Sequence, residues 1–138
     1  MADYGAPIRK KLLEPYDAAL AERLRAYIYG IVDLVPSKDS TQGCLFVKSS
    51  CESGSHAMPE DIAATLRDQA KSAQAHLVSF LQDEQSRGNL TTEADAKHLA
   101  KYLTSIMYGL GGQAKNGSTR RSLRSVVDLA ISVVPVID

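Results

Sequence analysis

The sequence has no tryptophan, and aromatic residues make up only 6% of its 138 residues. Surfaces that stack on sugars or on single-stranded nucleic acid depend on such side chains, so both functions are disfavoured. The net charge is zero, because 16 basic residues balance 16 acidic ones. A protein that binds nucleic acid non-specifically normally carries a clear basic excess, and this chain has none.

Long apolar runs and a cysteine framework are also missing. No run approaches the ~18 residues that span a bilayer, and the typical segment Leu129–Val134 is interrupted by Ser132. The N-terminus has no basic start followed by an apolar stretch, as a signal peptide would. On one helix Cys44 and Cys51 would lie ~10 Å apart, beyond the ~7 Å that a disulfide tolerates. These features predict a cytoplasmic protein with reduced cysteines.

Apolar residues make up 44% of the chain and recur at helical spacing, without the alternation of strands. A first helix is predicted after Pro15 and before Pro36, and a second after Pro59 and before Gly88. Thr92 is predicted to cap a third helix, and Ser118 or Thr119 a fourth. Two shorter helices are predicted over residues 8–13 and 44–52, although the length of the second segment would also allow a strand. The fold class is therefore all-α, a bundle of five to six helices.

The last two predicted helices carry more apolar surface than one core needs. The final helix carries one apolar stripe with Leu123, Val127 and Ile131, and a second apolar stripe on another side with Leu129 and Val133. A helix that is apolar on more than one side is buried on more than one side. Two helices from each subunit would then form a four-helix bundle about a two-fold axis. The alternative, that these helices are central within one subunit, stays open. The residues predicted at the dimer interface are Ser105, Gly109, Gly112, Leu123, Val127, Leu129 and Ile131.

Catalytic and metal-binding patterns are absent. The glycine-rich stretch 109–119 lacks the Gly-Lys-Ser/Thr order of a phosphate loop. The three histidines, His56, His76 and His98, do not have the spacing of zinc ligands. No nucleophile elbow is present. We therefore expect no metal, no cofactor and no enzymatic activity; a small helical enzyme would need a buried titratable cluster.

Three sets of side chains allow more than one interpretation. Basic residues gather at Lys115, Arg120, Arg121 and Arg124. Arg120 and Arg121 stand at a helix start, where they oppose the dipole, so they either pair with acids across an interface or only face solvent. His76 lies at the edge of an apolar stripe and either hydrogen-bonds a ligand or marks a boundary. The larger side chains either line a small-molecule pocket or fill the core.

The segment Gly43–Glu52 resembles the start of the sixth helix in the C-terminal domain of tetracycline-repressor (TetR/AcrR) family regulators. The helix start at Pro59–Ala63 and the break at Gly88–Leu90 are similar to the next family elements. The segments 103–110 and 123–128 look like the last two helices. The resemblance covers residues 15–134 in the order of the family.

The resemblance implies a regulatory domain at residues 15–138, after an N-terminal remnant of a connecting segment at residues 1–14. Family members are transcriptional regulators, usually repressors, that dimerise through the last two helices and bind a small effector among the middle ones. The candidate ligand-binding residues are Tyr27, Phe46, His76, Phe80, Tyr102 and Ile106. The family reads DNA through an N-terminal helix-turn-helix, and no such pattern stands before Pro15. We therefore expect DNA binding only through a domain absent from this chain. Whether the chain is a fragment or a natural short form stays open.

Overall fold

The computed structural model describes residues 18–34 and 59–137. Within them the chain forms four helices and no strand: α1 (Leu20–Leu34), α2 (Glu60–Ser86), α3 (Ala96–Lys115) and α4 (Arg120–Ile131). The all-α prediction is confirmed. The two short helices predicted over residues 8–13 and 44–52 lie outside the described residues.

The helices pack around one apolar core. Helix α1 packs chiefly against α4, α2 packs against α3, and α3 also contacts α1 and α4. Side chains from all four helices share the core, because each helix has a stripe of apolar residues at the spacing that places them on one face. The most deeply buried members are Leu24, Ile28, Leu81, Leu103, Leu123 and Val127.

Glycine ends two of the helices, and the first of these ends, at Gly88, was predicted from the sequence. After α2, Gly88 takes a φ of +82°, and its N–H donates to the carbonyl of Gln85 while the Asn89 N–H donates to that of Glu84. After α3, Gly117 takes a φ of +99° with the same pattern of hydrogen bonds. Both are Schellman motifs, which favour glycine because a side chain is strained at positive φ.

The residues that cap the last two helices agree only in part with those predicted from the sequence. Thr119 caps α4, with its hydroxyl accepting from the Ser122 N–H at 3.2 Å. The prediction that Thr92 caps α3 is wrong, because α3 begins at Ala96 and Asp95 is its cap. The Asp95 carboxylate accepts from the N–H groups of Lys97 and His98, so it satisfies two donors that the helix itself leaves free.

The segment after α4 turns back along the loop that follows α2. The Thr91 N–H donates to the Pro135 carbonyl at 3.1 Å, and the Ile137 N–H donates to the Asn89 carbonyl at 2.9 Å. Leu90 and Val136 form an isolated antiparallel bridge between these two hydrogen bonds. We call residues 132–137 the tail. Its backbone is fixed against the loop of residues 89–91.

Candidate functional site

One side of α4 presents apolar side chains to solvent. Leu129 is 71% exposed and Val133, just after the helix, is 65% exposed. Val126 on the same helix is 43% exposed. The second stripe that the sequence predicts on this helix therefore faces away from the chain's own core. We call this surface the α4 face.

Small residues give α3 an open surface beside α4. Ser105 and Gly109 are exposed, and a methyl group added at Gly109 or Gly112 would meet no other atom within 4 Å. Tyr102 marks the side of α3 toward α4, since its hydroxyl donates to the Ala130 carbonyl at 3.0 Å. Gly109 follows Tyr102 by two helical turns and so lies on that same side. We call Ser105, Gly109 and Gly112 the small-residue line. This line and the α4 face therefore lie on adjacent helices, and both are open to solvent.

Three residues predicted at the dimer interface lie elsewhere. Leu123, Val127 and Ile131 are at most 3% exposed and belong to the chain's own core. They form the inner stripe of α4, about opposite to Leu129. Of the seven predicted interface residues, the open surface contains Ser105, Gly109, Gly112 and Leu129.

The candidate ligand-binding residues are only partly brought together. Phe80 is buried, and Tyr27 and Ile106 pack partly buried against the same core cluster. The Tyr102 hydroxyl is turned toward α4 by its hydrogen bond to Ala130. His76 is exposed on α2. Phe46 lies outside the described residues.

A buried ion pair joins α1 to the end of α2. The Arg23 guanidinium donates to both oxygens of the Glu84 carboxylate, Nη1 to Oε1 at 2.6 Å and Nη2 to Oε2 at 2.9 Å. Both side chains are 2% exposed. Arg23 Nε also donates to the Ala18 carbonyl at 3.1 Å, and the Asn89 side-chain amide donates to Glu84 Oε2 at 2.6 Å. The guanidinium carbon lies 5.9 Å from the centre of the Phe80 ring.

Burial and hydrogen bonding act on the Glu84 carboxyl in opposite directions. Burial alone raises its pKa, because the charged form loses its hydration. The hydrogen bonds from Arg23 and Asn89, together with the positive charge of Arg23, outweigh burial and lower the pKa of Glu84 below its ordinary value of 4.5. The pair is therefore charged at neutral pH.

The sequence contains a signal for this pair. Arg23 stands between Leu20 and Leu24 on the apolar stripe of α1, and Glu84 follows Phe80 and Leu81 on that of α2. A charged residue at a core position is usually paired with an opposite charge. One basic and one acidic residue at core positions of two helices therefore suggest an ion pair between them. The spacing of residues along one helix does not identify the residue on another helix with which the charge pairs.

An exposed set of polar contacts joins α1 to α4. Arg124 donates to both oxygens of Asp33, at 2.7 and 2.8 Å, and lies 5.0 Å over the Tyr29 ring. Asp128 accepts from the Tyr29 hydroxyl and pairs with Arg25 at 3.2 Å. The hydrogen bond to Asp128 raises the pKa of the Tyr29 phenol above its ordinary value. Arg124, whose role the sequence left open, therefore pairs with an acid within its own chain.

Residues 18–34 and 59–137 contain no group of three or more His, Cys, Asp or Glu side chains placed to bind a metal ion. No helix among them has the length and apolar character to cross a membrane. His56 and both cysteines lie outside these ranges.

Known structures share this fold. Two structures of the TetR family transcriptional regulator CifR, both cysteine mutants complexed with 26-base-pair operator DNA, match with TM-scores of 0.78 and 0.80. They are 19% and 21% identical to this chain, and each match covers 94% of it. The matches cover 67% and 66% of the CifR chains. The fold is that of a TetR-type regulator.

Sequence comparison gives the family. The model of the tetracyclin repressor-like C-terminal domain matches residues 21–129, so the chain belongs to that family. A curated relative is the HTH-type transcriptional repressor ComR of Escherichia coli (strain K12), which is 28% identical over 123 residues. That alignment covers 86% of this chain and 54% of ComR, so the chain spans about half the length of this relative. The family resemblance stated from the sequence is confirmed.

Proposed function

We propose that the chain is the effector-binding and dimerisation part of a TetR-family transcriptional repressor. The family assignment supports this, as does the repressor activity in the name of the similar ComR protein. In this proposal, the operator DNA is bound by the helix-turn-helix of a longer protein that contains this chain. Ligand binding would act by shifting the population of conformations of the middle helices, and so the spacing of two reading domains.

The open surface of α3 and α4 is the observation that carries the proposal. Leu129 and Val133 are about two-thirds exposed beside the small-residue line of α3. Exposed apolar side chains that stand together often mark a contact with another molecule, whereas single ones do not. In a two-fold contact, the large side chains of one copy can enter the space that the glycines of the other leave open. A second copy is therefore the occupant that we assign to this surface.

Sedimentation velocity over a dilution series tests the dimer. The unaltered chain is expected to sediment as a dimer, and Leu129→Glu to dissociate at least tenfold more readily, since each tenfold change corresponds to about 1.4 kcal/mol. Ile62→Glu is the matched control, because Ile62 is an exposed apolar residue on α2, away from this surface. A Leu129→Glu protein that dimerises as the unaltered chain does would contradict the assignment.

The effector is assigned to the region around Phe80, Tyr27 and Ile106. These side chains offer aromatic and aliphatic surface on three neighbouring helices, and His76 stands one helical turn before Phe80. An apolar or aromatic compound fits such surroundings. A thermal-shift screen against such compounds is expected to find a ligand that raises the unfolding temperature.

A matched pair of histidine variants makes the screen specific. The temperature shift is expected to be reduced in His76→Ala and kept in His98→Ala, because His98 is also an exposed histidine but lies outside the candidate set. Both residues are exposed, so neither change is expected to damage the fold. A hit that shifts both variants as it shifts the unaltered chain would contradict the assigned region.

A second candidate function is a structural homodimerisation module with a filled core and no ligand. The contacts of two candidate ligand-binding residues favour it. Phe80 is covered by the Arg23 guanidinium, and the Tyr102 hydroxyl already has the Ala130 carbonyl as its partner. No temperature shift with any compound, in a protein that still dimerises, is the outcome that this candidate predicts.

A further inference from the structure

The Glu84 carboxylate accepts hydrogen bonds from two separate parts of the chain. Its Oε2 atom accepts from Arg23 Nη2 of α1 at 2.9 Å and from the Asn89 side-chain amide after α2 at 2.6 Å. Its Oε1 atom accepts from Arg23 Nη1 at 2.6 Å. The side chain is 2% exposed, so water does not readily replace either donor. A movement of the guanidinium therefore changes the orientation of the carboxylate that Asn89 binds.

Asn89 connects this carboxylate to the tail. Its side-chain amide is held by the Glu84 carboxylate, and its backbone N–H donates to the Glu84 carbonyl at 2.9 Å. The Asn89 carbonyl in turn accepts from the Ile137 N–H at 2.9 Å. We call Arg23, Glu84, Asn89 and Ile137 the Glu84 network. It leads from α1, through the end of α2, to the last described residue of the chain.

The second hydrogen bond of the tail depends on a different side chain. The Thr91 N–H donates to the Pro135 carbonyl at 3.1 Å. The Thr91 carbonyl is held by Gln85 Nε2 at 3.0 Å, and the same nitrogen donates to the Ala94 carbonyl at 2.6 Å. This part of the loop is therefore fixed to α2 without Glu84. The Thr91 amide is accordingly an internal reference for changes that begin at the carboxylate.

We propose that the Glu84 network couples α1 to the tail, so that the position of the Arg23 guanidinium sets that of the Ile137 amide. The guanidinium carbon lies 5.9 Å from the centre of the Phe80 ring, which belongs to the assigned effector region. A ligand that displaces the guanidinium from this ring would change the position of the tail, which continues from α4. This regulatory use rests on the proposed function, whereas the coupling rests on the hydrogen bonds themselves.

Helix α1 also reaches α4 by a direct and exposed route. Arg124 of α4 pairs with Asp33 at 2.7 Å, and Asp128 pairs with Arg25 at 3.2 Å. A change in α1 can therefore affect the end of α4 without passing through Glu84. Arg124→Gln weakens this direct route and leaves the Glu84 network intact, so it is the matched control for substitutions of Arg23.

Two-dimensional ¹H–¹⁵N NMR tests the coupling, with every protein at one chain concentration. In Arg23→Met, the Ile137 amide resonance of the folded protein is expected to move, and its hydrogen exchange to become about fivefold faster, as for one net hydrogen bond. The Thr91 amide and the control Arg124→Gln are expected to show little change. An Ile137 amide that keeps its resonance and its exchange rate in Arg23→Met would overturn the proposal.

A milder variant keeps the test valid if Arg23→Met does not fold. Arg23→Lys retains the charge but lacks the two-pronged donor geometry of arginine, so it cannot hold both carboxylate oxygens in the same way. It is expected to move the Ile137 resonance in the same direction. Asn89→Ala cuts the network, so Arg23→Lys should have no further effect on Ile137 in that background. Fully additive effects of the two substitutions would contradict a route through Asn89.

The double variant Arg23→Met/Glu84→Leu separates positioning from stability. It removes both buried charges together, so it is expected to be more stable than Arg23→Met. Leucine does not accept a hydrogen bond from Asn89, so the Ile137 amide is expected to stay displaced. Glu84 is thus a positioning residue for the tail. A return of the Ile137 resonance to its unaltered position, together with the stability, would overturn this role.

The coupling and the proposed function fail separately, because these measurements use the chain without an effector. An Ile137 amide that does not respond to Arg23 overturns the coupling and leaves the effector region as it was proposed. A responding amide supports the coupling, even in a chain for which the thermal-shift screen finds no ligand. That second result would contradict the effector region alone.

Discussion

Replacing Arg23 by methionine removes one half of the buried ion pair and keeps most of the side-chain length. The Glu84 carboxylate, at 1% exposure, then keeps the hydrogen bond from the Asn89 amide but loses both hydrogen bonds from the guanidinium. Breaking a buried pair in this way costs about 3–5 kcal/mol of the free energy of unfolding. Because whole domains are stable by about 5–15 kcal/mol, Arg23→Met is expected to lose a large fraction of the free energy of unfolding.

Urea denaturation measures this cost, with all proteins at one chain concentration because dimerisation contributes to apparent stability. The control is Arg124→Gln, which breaks a pair of nearly equal length, 2.7 Å against 2.6 Å, whose two side chains are 46% and 42% exposed. Exposed pairs contribute little, since water already solvates both charges. We expect this control to lose a small fraction of what Arg23→Met loses.

The double variant Arg23→Met/Glu84→Leu completes the cycle. It removes both charges and leaves two apolar side chains, so we expect it to recover most of the stability lost in Arg23→Met. Asn89 is half-buried and can exchange its carboxylate partner for water. Glu84→Leu alone is the second single variant of this cycle. The reasoning is refuted if Arg23→Met and Arg124→Gln lose the same free energy, or if the double variant loses the sum of the losses of Arg23→Met and Glu84→Leu.

Three further predictions follow from single positions. The lowered pKa of Glu84 means that its stabilising contribution is complete above pH 4.5, its ordinary pKa, and is lost as the pH falls through the pKa of the folded state. The free energy of unfolding should therefore decrease more steeply below pH 4.5 in the unaltered chain than in Glu84→Gln. Parallel acid denaturation curves would contradict this prediction. Gly109→Leu should favour helix α3 by about 0.8 kcal/mol, since glycine is a poor helix former, yet push the subunits apart; an unchanged dimer in sedimentation would place Gly109 outside the contact. Thr119→Ala should cost about 1 kcal/mol in urea denaturation through loss of the α4 cap, and an equal loss in the neighbouring control Ser118→Ala would argue against a capping role.

Much of the fold could be predicted because its determinants are local. Gly88, Gly117 and Thr119 end or begin helices through hydrogen bonds within a few residues, so the sequence pattern contains them. Asp95 was missed as the cap of α3 because Thr92 offers a similar local pattern three residues earlier. The choice between them depends on where the loop from α2 joins the helix, which is a property of the whole bundle.

The site was predictable only where one helix decides it. The periodicity of α4 separates two stripes, and the exposed one, with Leu129 and Val133, was found from the sequence alone. Periodicity does not say which stripe faces the chain's own core, so Leu123 was placed at the dimer interface although it is buried inside the chain. The Arg23–Glu84 pair joins residues 61 positions apart, and only the packing of α1 against the end of α2 brings them together.

The mass of the particle in solution tests the central claim, that the outward surface of α3 and α4 is covered by a second copy. Sedimentation equilibrium of the unaltered chain at micromolar concentrations is the most direct measurement. The account predicts a mass of twice the 14.9 kDa of one chain, and that Leu129→Glu shifts it toward 14.9 kDa. A single-chain mass for the unaltered protein across the whole concentration range would contradict the account.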